Sequence, residues 1–87
     1  MSETAHARLK RLKMRSWRRG MKEMDLILGP FADAQLADMS DDTLALSDSM
    51  LSENDQELYK WVTGQSKTPD RFQDMIATIA KAAGVTS

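Results

Sequence analysis

The chain has 87 residues, no cysteine and one histidine, His6. This excludes a disulfide framework and a cysteine-ligated metal, and it leaves a zinc site or a histidine-based triad without its residues. No apolar run approaches the roughly 20 residues of a membrane-spanning helix, and the N-terminus lacks the apolar centre of a secretory signal peptide. The length fits one small helical domain over 1–87, of modest stability, because a chain this short buries only about 60–65% of the surface its unfolded form exposes.

The net charge of −1 conceals an asymmetry. Eight of the twelve Lys and Arg lie between Arg8 and Lys22, whereas Glu23 to Tyr59 holds ten acids and no Lys or Arg. Such segregation predicts a dipolar surface able to orient a partner over roughly 8–10 Å at physiological salt. The basic N-terminal composition is also that of a mitochondrial targeting peptide. The motif that follows almost at once favours a folded basic helix instead, in a soluble intracellular domain.

In chain order, residues 1–5 and 85–87 are expected to be disordered. His6 to about Arg18 reads as a basic helix with a narrow apolar edge of Leu9 and Leu12. Met14, Trp17, Met21, Met24, Leu28 and Phe31 follow a helical 3-4-3-4-3 spacing that would permit one helix through Gly20. Leu9 and Leu12 are out of phase with that stripe, and a mid-helix glycine costs about 1 kcal/mol relative to alanine, so a break at Arg19-Gly20 is expected. A second helix from about Met21 to Leu28 should end at Gly29-Pro30, with glycine left-handed and proline opening a short third segment to about Asp38.

Ser40-Asp41-Asp42-Thr43 supplies an N-cap and first-turn acids for a helix carrying Leu44, Ala45, Met50 and Leu51 and stopping near Ser52. Asn54-Asp55-Gln56-Glu57 repeats the signal, with Asn54 expected to bond the N3 amide and Glu57 to reach back. That helix presents Leu58, Trp61 and Val62 and ends at Gly64. Thr68-Pro69 reads as N-cap and N1 of a last helix showing Phe72, Met75, Ile76, Ile79, Ala80 and Ala83, closed by Gly84. No segment alternates with period two. The fold expected is therefore all-α, a compact bundle of about five short helices. Most of the seven methionines fall on core-facing stripes, where methionine fills gaps.

The chemistry-bearing groups concentrate in Trp17-Arg18-Arg19-Gly20-Met21-Lys22-Glu23-Met24-Asp25. One reading is structural. Gly20 is then a turn and N-cap, Glu23 at N3 complements the helix dipole, and Arg19 is an exposed cation or pairs with Glu23. The other is a recognition surface. Glycine lets another molecule approach the main chain, a guanidinium clamps a carboxylate or phosphate, Glu23 accepts a hydrogen bond, and Trp17 adds a flat apolar contact.

These residues resemble a family signature. Arg18-Arg19-Gly20-Met21-Lys22-Glu23-Met24-Asp25 is similar to the Arg-Gly-x-x-Glu motif of the succinate dehydrogenase assembly factors that promote flavinylation. The resemblance continues through Pro30-Phe31 and Asp55-x-x-Leu58-x-x-Trp61. It implies a small helical bundle that binds the flavoprotein subunit of succinate dehydrogenase, and in bacteria of fumarate reductase. It further implies a chaperone that promotes covalent FAD attachment to that subunit, not an enzyme. Carried over by motif position, Arg19, Gly20 and Glu23 face the flavoprotein, with Arg18 and Asp25 in support; Trp17 joins the partner-binding set as the flat apolar contact described above, and Asp55 and Trp61 are scaffold. No cofactor or metal is bound by the chain itself, FAD belonging to the partner. Membrane insertion and nucleic-acid binding are not implied, and the free protein would be a monomer, in the bacterial cytoplasm or the mitochondrial matrix.

Three rivals use other features. A basic nucleic-acid-binding module would use residues 8–22, but no recognition helix or RNA-binding signature accompanies them. A small enzyme built on Glu23 and Arg19 lacks a nucleophile–base pair and the chain length for a buried pocket. A general protein-interaction module would use the acidic Ser40–Glu57 region.

Overall fold

The computed structural model describes residues 3–85, which contain five α-helices and no strand. They are α1 (Ala5–Trp17), α2 (Lys22–Gln35, extended by a 3-10 turn at Leu36–Asp38), α3 (Asp41–Leu51), α4 (Asp55–Val62) and α5 (Gln73–Ala82, preceded by a 3-10 turn at Asp70–Phe72). The all-α bundle expected from the sequence is the one observed. The expectation of disordered ends falls partly on residues 1, 2, 86 and 87, which lie outside the described residues. Within the described residues, Thr4 caps α1 by accepting from the Ala7 amide at 3.0 Å, Glu3 pairs with Arg11 at 2.8 Å, and Val85 packs on the core.

Helix α2 organises the bundle, touching α1, α4 and α5, while α3 lies against α1. Its Met24, Leu28, Phe31 and Ala32 are buried with Leu12 of α1, Leu58 and Trp61 of α4, and Met75, Ile76 and Ile79 of α5. The Trp61 and Phe72 rings are tilted against each other with centroids 6.0 Å apart. Two serines enter this core without leaving polar atoms unpaired: Ser16 donates to the Leu12 carbonyl at 2.8 Å, and Ser47 to the Met75 sulfur at 3.5 Å. Met24, Met50 and Met75 are buried as expected; Met14 departs from the stripe and is 45% exposed. The break after Trp17 changes the helical phase, so Met14 no longer shares a face with Met24 and Leu28.

The caps follow the local sequence. Ser40 Oγ accepts from the Thr43 amide at 3.2 Å. Asn54 Oδ1 accepts from Gln56, at N2 rather than the expected N3, at 2.8 Å. Gly64 and Gly84 take φ of 78° and 77°, the left-handed geometry that ends α4 and α5. Pro69, not Thr68, occupies the cap position before the 3-10 turn.

Gly29-Pro30 does not end a helix: α2 runs through it, and Gly29 has no positive φ. Two physical reasons apply. Proline disfavours helical conformation in its predecessor partly through that residue's Cβ, which glycine lacks. The carbonyl that Pro30 leaves without an amide donor is that of Leu26, which lies on the outer side of α2 and is 61% exposed. Gly29 is a packing glycine, because a Cβ there would lie 2.3 Å from the Trp17 ring.

The charge segregation of the sequence is partly neutralised in space. Arg8 pairs with Asp41 at 2.6 Å, Arg11 with Asp48 at 2.9 Å, and Arg15 also with Asp48. The numbers rise together, so α1 and α3 run side by side in the same sense, and Asp41 and Asp48 meet arginines of α1.

Gly29→Ala should destabilise the fold by about 1–3 kcal/mol through overpacking. The added cost should largely vanish in a Trp17→Ala background, as read from urea unfolding of the single and double variants. The Arg11 hydrogen bond, followed by Arg11 and Arg15 charge, holds the Asp48 carboxyl below its ordinary value against partial desolvation. Its folded pKa lies below the unfolded value of about 3.9, so the unfolded chain binds the proton first. This contribution is present above pH of about 4 and is lost as pH falls through the folded value. Thermal unfolding from neutral to acid pH should show wild type and Asp48→Asn converging at the acid end.

Candidate functional site: the α1–α2 corner

Residues 18–21 form a short non-helical corner between α1 and α2. The Arg18 amide closes α1 by donating to the Met14 carbonyl at 3.0 Å, and Met21 turns extended as N-cap of α2. The expected break is therefore present. The cap is one residue later than Gly20, which places Glu23 at N2, in the first turn, where its charge still complements the helix dipole.

Two carboxylates fix the corner. Asp25, from the first turn of α2, accepts from the Arg19 amide at 2.6 Å. Asp55, the first residue of α4, divides its oxygens: Oδ1 accepts from Arg19 Nε and Oδ2 from the Gly20 amide, both at 2.6 Å. The Arg19 guanidinium then reaches on to the Leu51 carbonyl at 2.6 Å and the Glu53 carbonyl at 3.1 Å. It thus answers carbonyls at the C-terminal end of α3, where the helix dipole favours a cation. Arg19 and Asp55 side chains are only 10% and 14% exposed, and the guanidinium is engaged on all three nitrogens. The α1–α2 corner is locked to the α3–α4 corner through one arginine.

This sorts the sequence-picked residues into two groups. Arg19 turns inward and pairs with Asp55, so neither an exposed Arg19 nor an Arg19–Glu23 pair is found; Asp25 is its second anchor. Arg18, Gly20 and Glu23 are exposed, and Trp17, 41% exposed, lays its ring over Gly29 and donates Nε1–H to Asp33 at 3.1 Å. Among the described residues neither Arg18 nor Glu23 has an ion-pair partner. Asp55 acts directly on the corner, more closely than a helix-start scaffold residue would; the acid in Asp55-x-x-Leu58-x-x-Trp61 was its only sequence signal.

Gly20 has no positive φ, and a Cβ there would meet Asp55 Oδ2 at 3.4 Å, an ordinary van der Waals contact. Nothing inside the described chain requires glycine at this position. The arrangement can present a fixed, side-chain-free stretch of backbone between an exposed cation and an exposed carboxylate. Among the described residues no group of three or more His, Cys, Asp or Glu could hold a metal.

Asp55→Ala strands a nearly buried arginine and should cost about 3–5 kcal/mol in urea unfolding. Amide exchange should quicken at Arg19 and Gly20 before the rest of the bundle opens.

Comparison with known proteins bears on this corner. Residues 10–83 match the family described as flavinator of succinate dehydrogenase. The chain is 35% identical over 82 residues to succinate dehydrogenase assembly factor 2, mitochondrial, of Drosophila grimshawi, covering 92% of this chain and 56% of that protein. It is 40% identical over 83 residues to the protein of the same name in Penicillium rubens (88% and 26% covered). The Meyerozyma guilliermondii relative is 37% identical over 75 residues (83% and 56%). The chain spans about half the length, or less, of these curated relatives. Through a match that takes in both corners and all the helices from the middle of α1 onward, the chain belongs to the flavinator of succinate dehydrogenase family.

Proposed function

We propose that this chain is an assembly factor that binds the flavoprotein subunit of succinate dehydrogenase and promotes covalent attachment of its FAD. The observation that carries the reading is the Gly20 corner: exposed, held by Asp25 and Asp55, and glycine where the free chain has room for a Cβ. An exposed glycine normally costs stability through the entropy of the unfolded chain. Its use here is explained by a partner whose surface comes against the backbone. Arg18 and Glu23 flank that contact as cation and hydrogen-bond acceptor, Trp17 borders it, and Arg19 holds it in shape from beneath. Family membership and the names of the relatives support the same client.

The chain acts as a chaperone, not as a catalyst. Docking holds the flavoprotein so that flavin and its attachment residue meet at bonding distance, and such positioning alone can lower a barrier by several kcal/mol. FAD is carried by the partner, and the flavoprotein of fumarate reductase is a second client in bacteria. The site of action is wherever that flavoprotein matures, the bacterial cytoplasm or the mitochondrial matrix.

The test is co-expression of the flavoprotein subunit with and without this chain, denaturation, and in-gel flavin fluorescence. Wild type should raise covalent flavin. Gly20→Arg should fold, as judged by circular dichroism, and fail to raise it; equal activity would remove the corner from the interface. Gly20→Ala should leave stability unchanged or raise it by up to about 1 kcal/mol. Glu23→Gln should retain most of the covalent flavin, because an amide keeps the hydrogen-bond acceptor, whereas a proton-transfer role would be lost with the carboxylate.

A further inference from the structure

Helix α1 carries a second surface that the corner does not account for. Leu12 and Ser16 face the core, and Met14 projects from the opposite side, 45% exposed and without a place in the core cluster. Lys10, Met14 and Arg18 stand four residues apart, in one row along the helix, each step rising about 6 Å. Between them lies a shallow concavity lined by Ala7, Lys10, Arg11, Met14, Arg15 and Arg18. Its cations are not equivalent. Arg11 and Arg15 are spent on Asp48. Among the described residues Lys10 and Arg18 have no carboxylate within ion-pair distance. The fold therefore neutralises the inner arginines of α1 and leaves a free cation at each end of an apolar patch. The row ends at Arg18, two residues from Gly20, so it continues the surface of the corner.

We infer that the outer face of α1 is a second contact zone for the same flavoprotein, seating an acidic segment with an apolar centre. One carboxylate meets Lys10, another meets Arg18, and an apolar side chain rests on Met14. The inference rests on the docking role of the corner. The chemistry selects this occupant over other anions. Two free cations about 12 Å apart across an apolar floor do not make the continuous phosphate track of a nucleic-acid groove. A membrane-surface helix needs a broad apolar face, and here Leu9 and Leu12 are turned toward the protein interior.

The experiment is calorimetric titration of the flavoprotein subunit of succinate dehydrogenase, taken from cells lacking the helper, at low and high salt. Wild type, Lys10→Arg, Lys10→Glu/Met14→Glu and Gly20→Arg are compared, with folding checked by circular dichroism. Lys10→Gln/Met14→Gln replaces the double variant if that fails to fold. The expected result is a loss of roughly tenfold or more in affinity for the double variant at low salt, narrowing at high salt, with Lys10→Arg close to wild type. If the double variant matches wild type at both salts while Gly20→Arg loses binding, the outer face of α1 is only solvated and the corner alone docks. If wild type itself does not bind, both readings fall. If the double variant loses binding to random duplex DNA or to anionic vesicles but not to the flavoprotein, the face serves a different partner and the inference is overturned.

Discussion

Asp55 holds two neighbours of the chain at once, the Arg19 guanidinium with one oxygen and the Gly20 amide with the other. Its position at the start of α4 makes this a constraint between distant parts of the sequence, 35 and 36 residues apart. Arg19 extends the constraint to the end of α3 through two carbonyls. Without this arrangement the α1–α2 corner would be a four-residue surface loop tethered mainly by Asp25. With it, the corner is a fixed part of the bundle. Charged groups this well covered are costly to desolvate and rarely add net stability over apolar replacements. Their effect here is to specify one geometry at one place.

The elements legible in the sequence are those governed by near neighbours. Ser40, Asn54, Gly64 and Gly84 mark helix ends through bonds or dihedrals that span two or three residues, and each sits at the boundary its chemistry suggests. The core positions Leu58, Trp61 and Val62 of α4 and Met75, Ile76 and Ile79 of α5 are equally plain because one helical period decides them, whereas Ala83 falls past the end of α5 and is exposed. Gly29-Pro30 misleads for the opposite reason. Its local signal is a helix stop, but the Trp17 ring needs a residue without a side chain at 29, and the same missing Cβ eases the helix through Pro30. The family motif showed where the corner is, not what its arginine does. Arg19 reads locally as a clamp for a partner; in the folded chain its guanidinium is bonded to the Leu51 and Glu53 carbonyls and to Asp55, where no local pattern could place it.

Charge behaves in the same way. Read along the chain, basic and acidic blocks suggest opposed poles. Folded, α3 lies beside α1 and the start of α4 meets the α1–α2 corner, so Asp41 and Asp48 face Arg8, Arg11 and Arg15, and Asp55 faces Arg19. The arginines, with forked donors suited to carboxylates, carry these internal pairs. Of the cations on α1 and its cap, Lys10, Lys13 and Arg18 stay outside that internal set among the described residues, and only Lys10 and Arg18 line the concavity around Met14, so their significance comes from the pairing and placement of the others and not from composition.

A chain of this size has little core to spend, yet it gives several nearly buried polar contacts to a corner that its helices could have joined by an ordinary turn. In the proposed docking role the physical return lies in binding. A loop that must be ordered on contact takes its ordering entropy out of the affinity, whereas one already held by Asp25 and Asp55 does not. A rigid corner can also transmit a geometry to its partner, which a flexible one cannot. For a helper whose proposed contribution is to bring two groups of another protein to bonding distance, that rigidity is the part of the mechanism the helper itself must supply. It accounts for an inward arginine, an outward glycine and a carboxylate from another helix joining them.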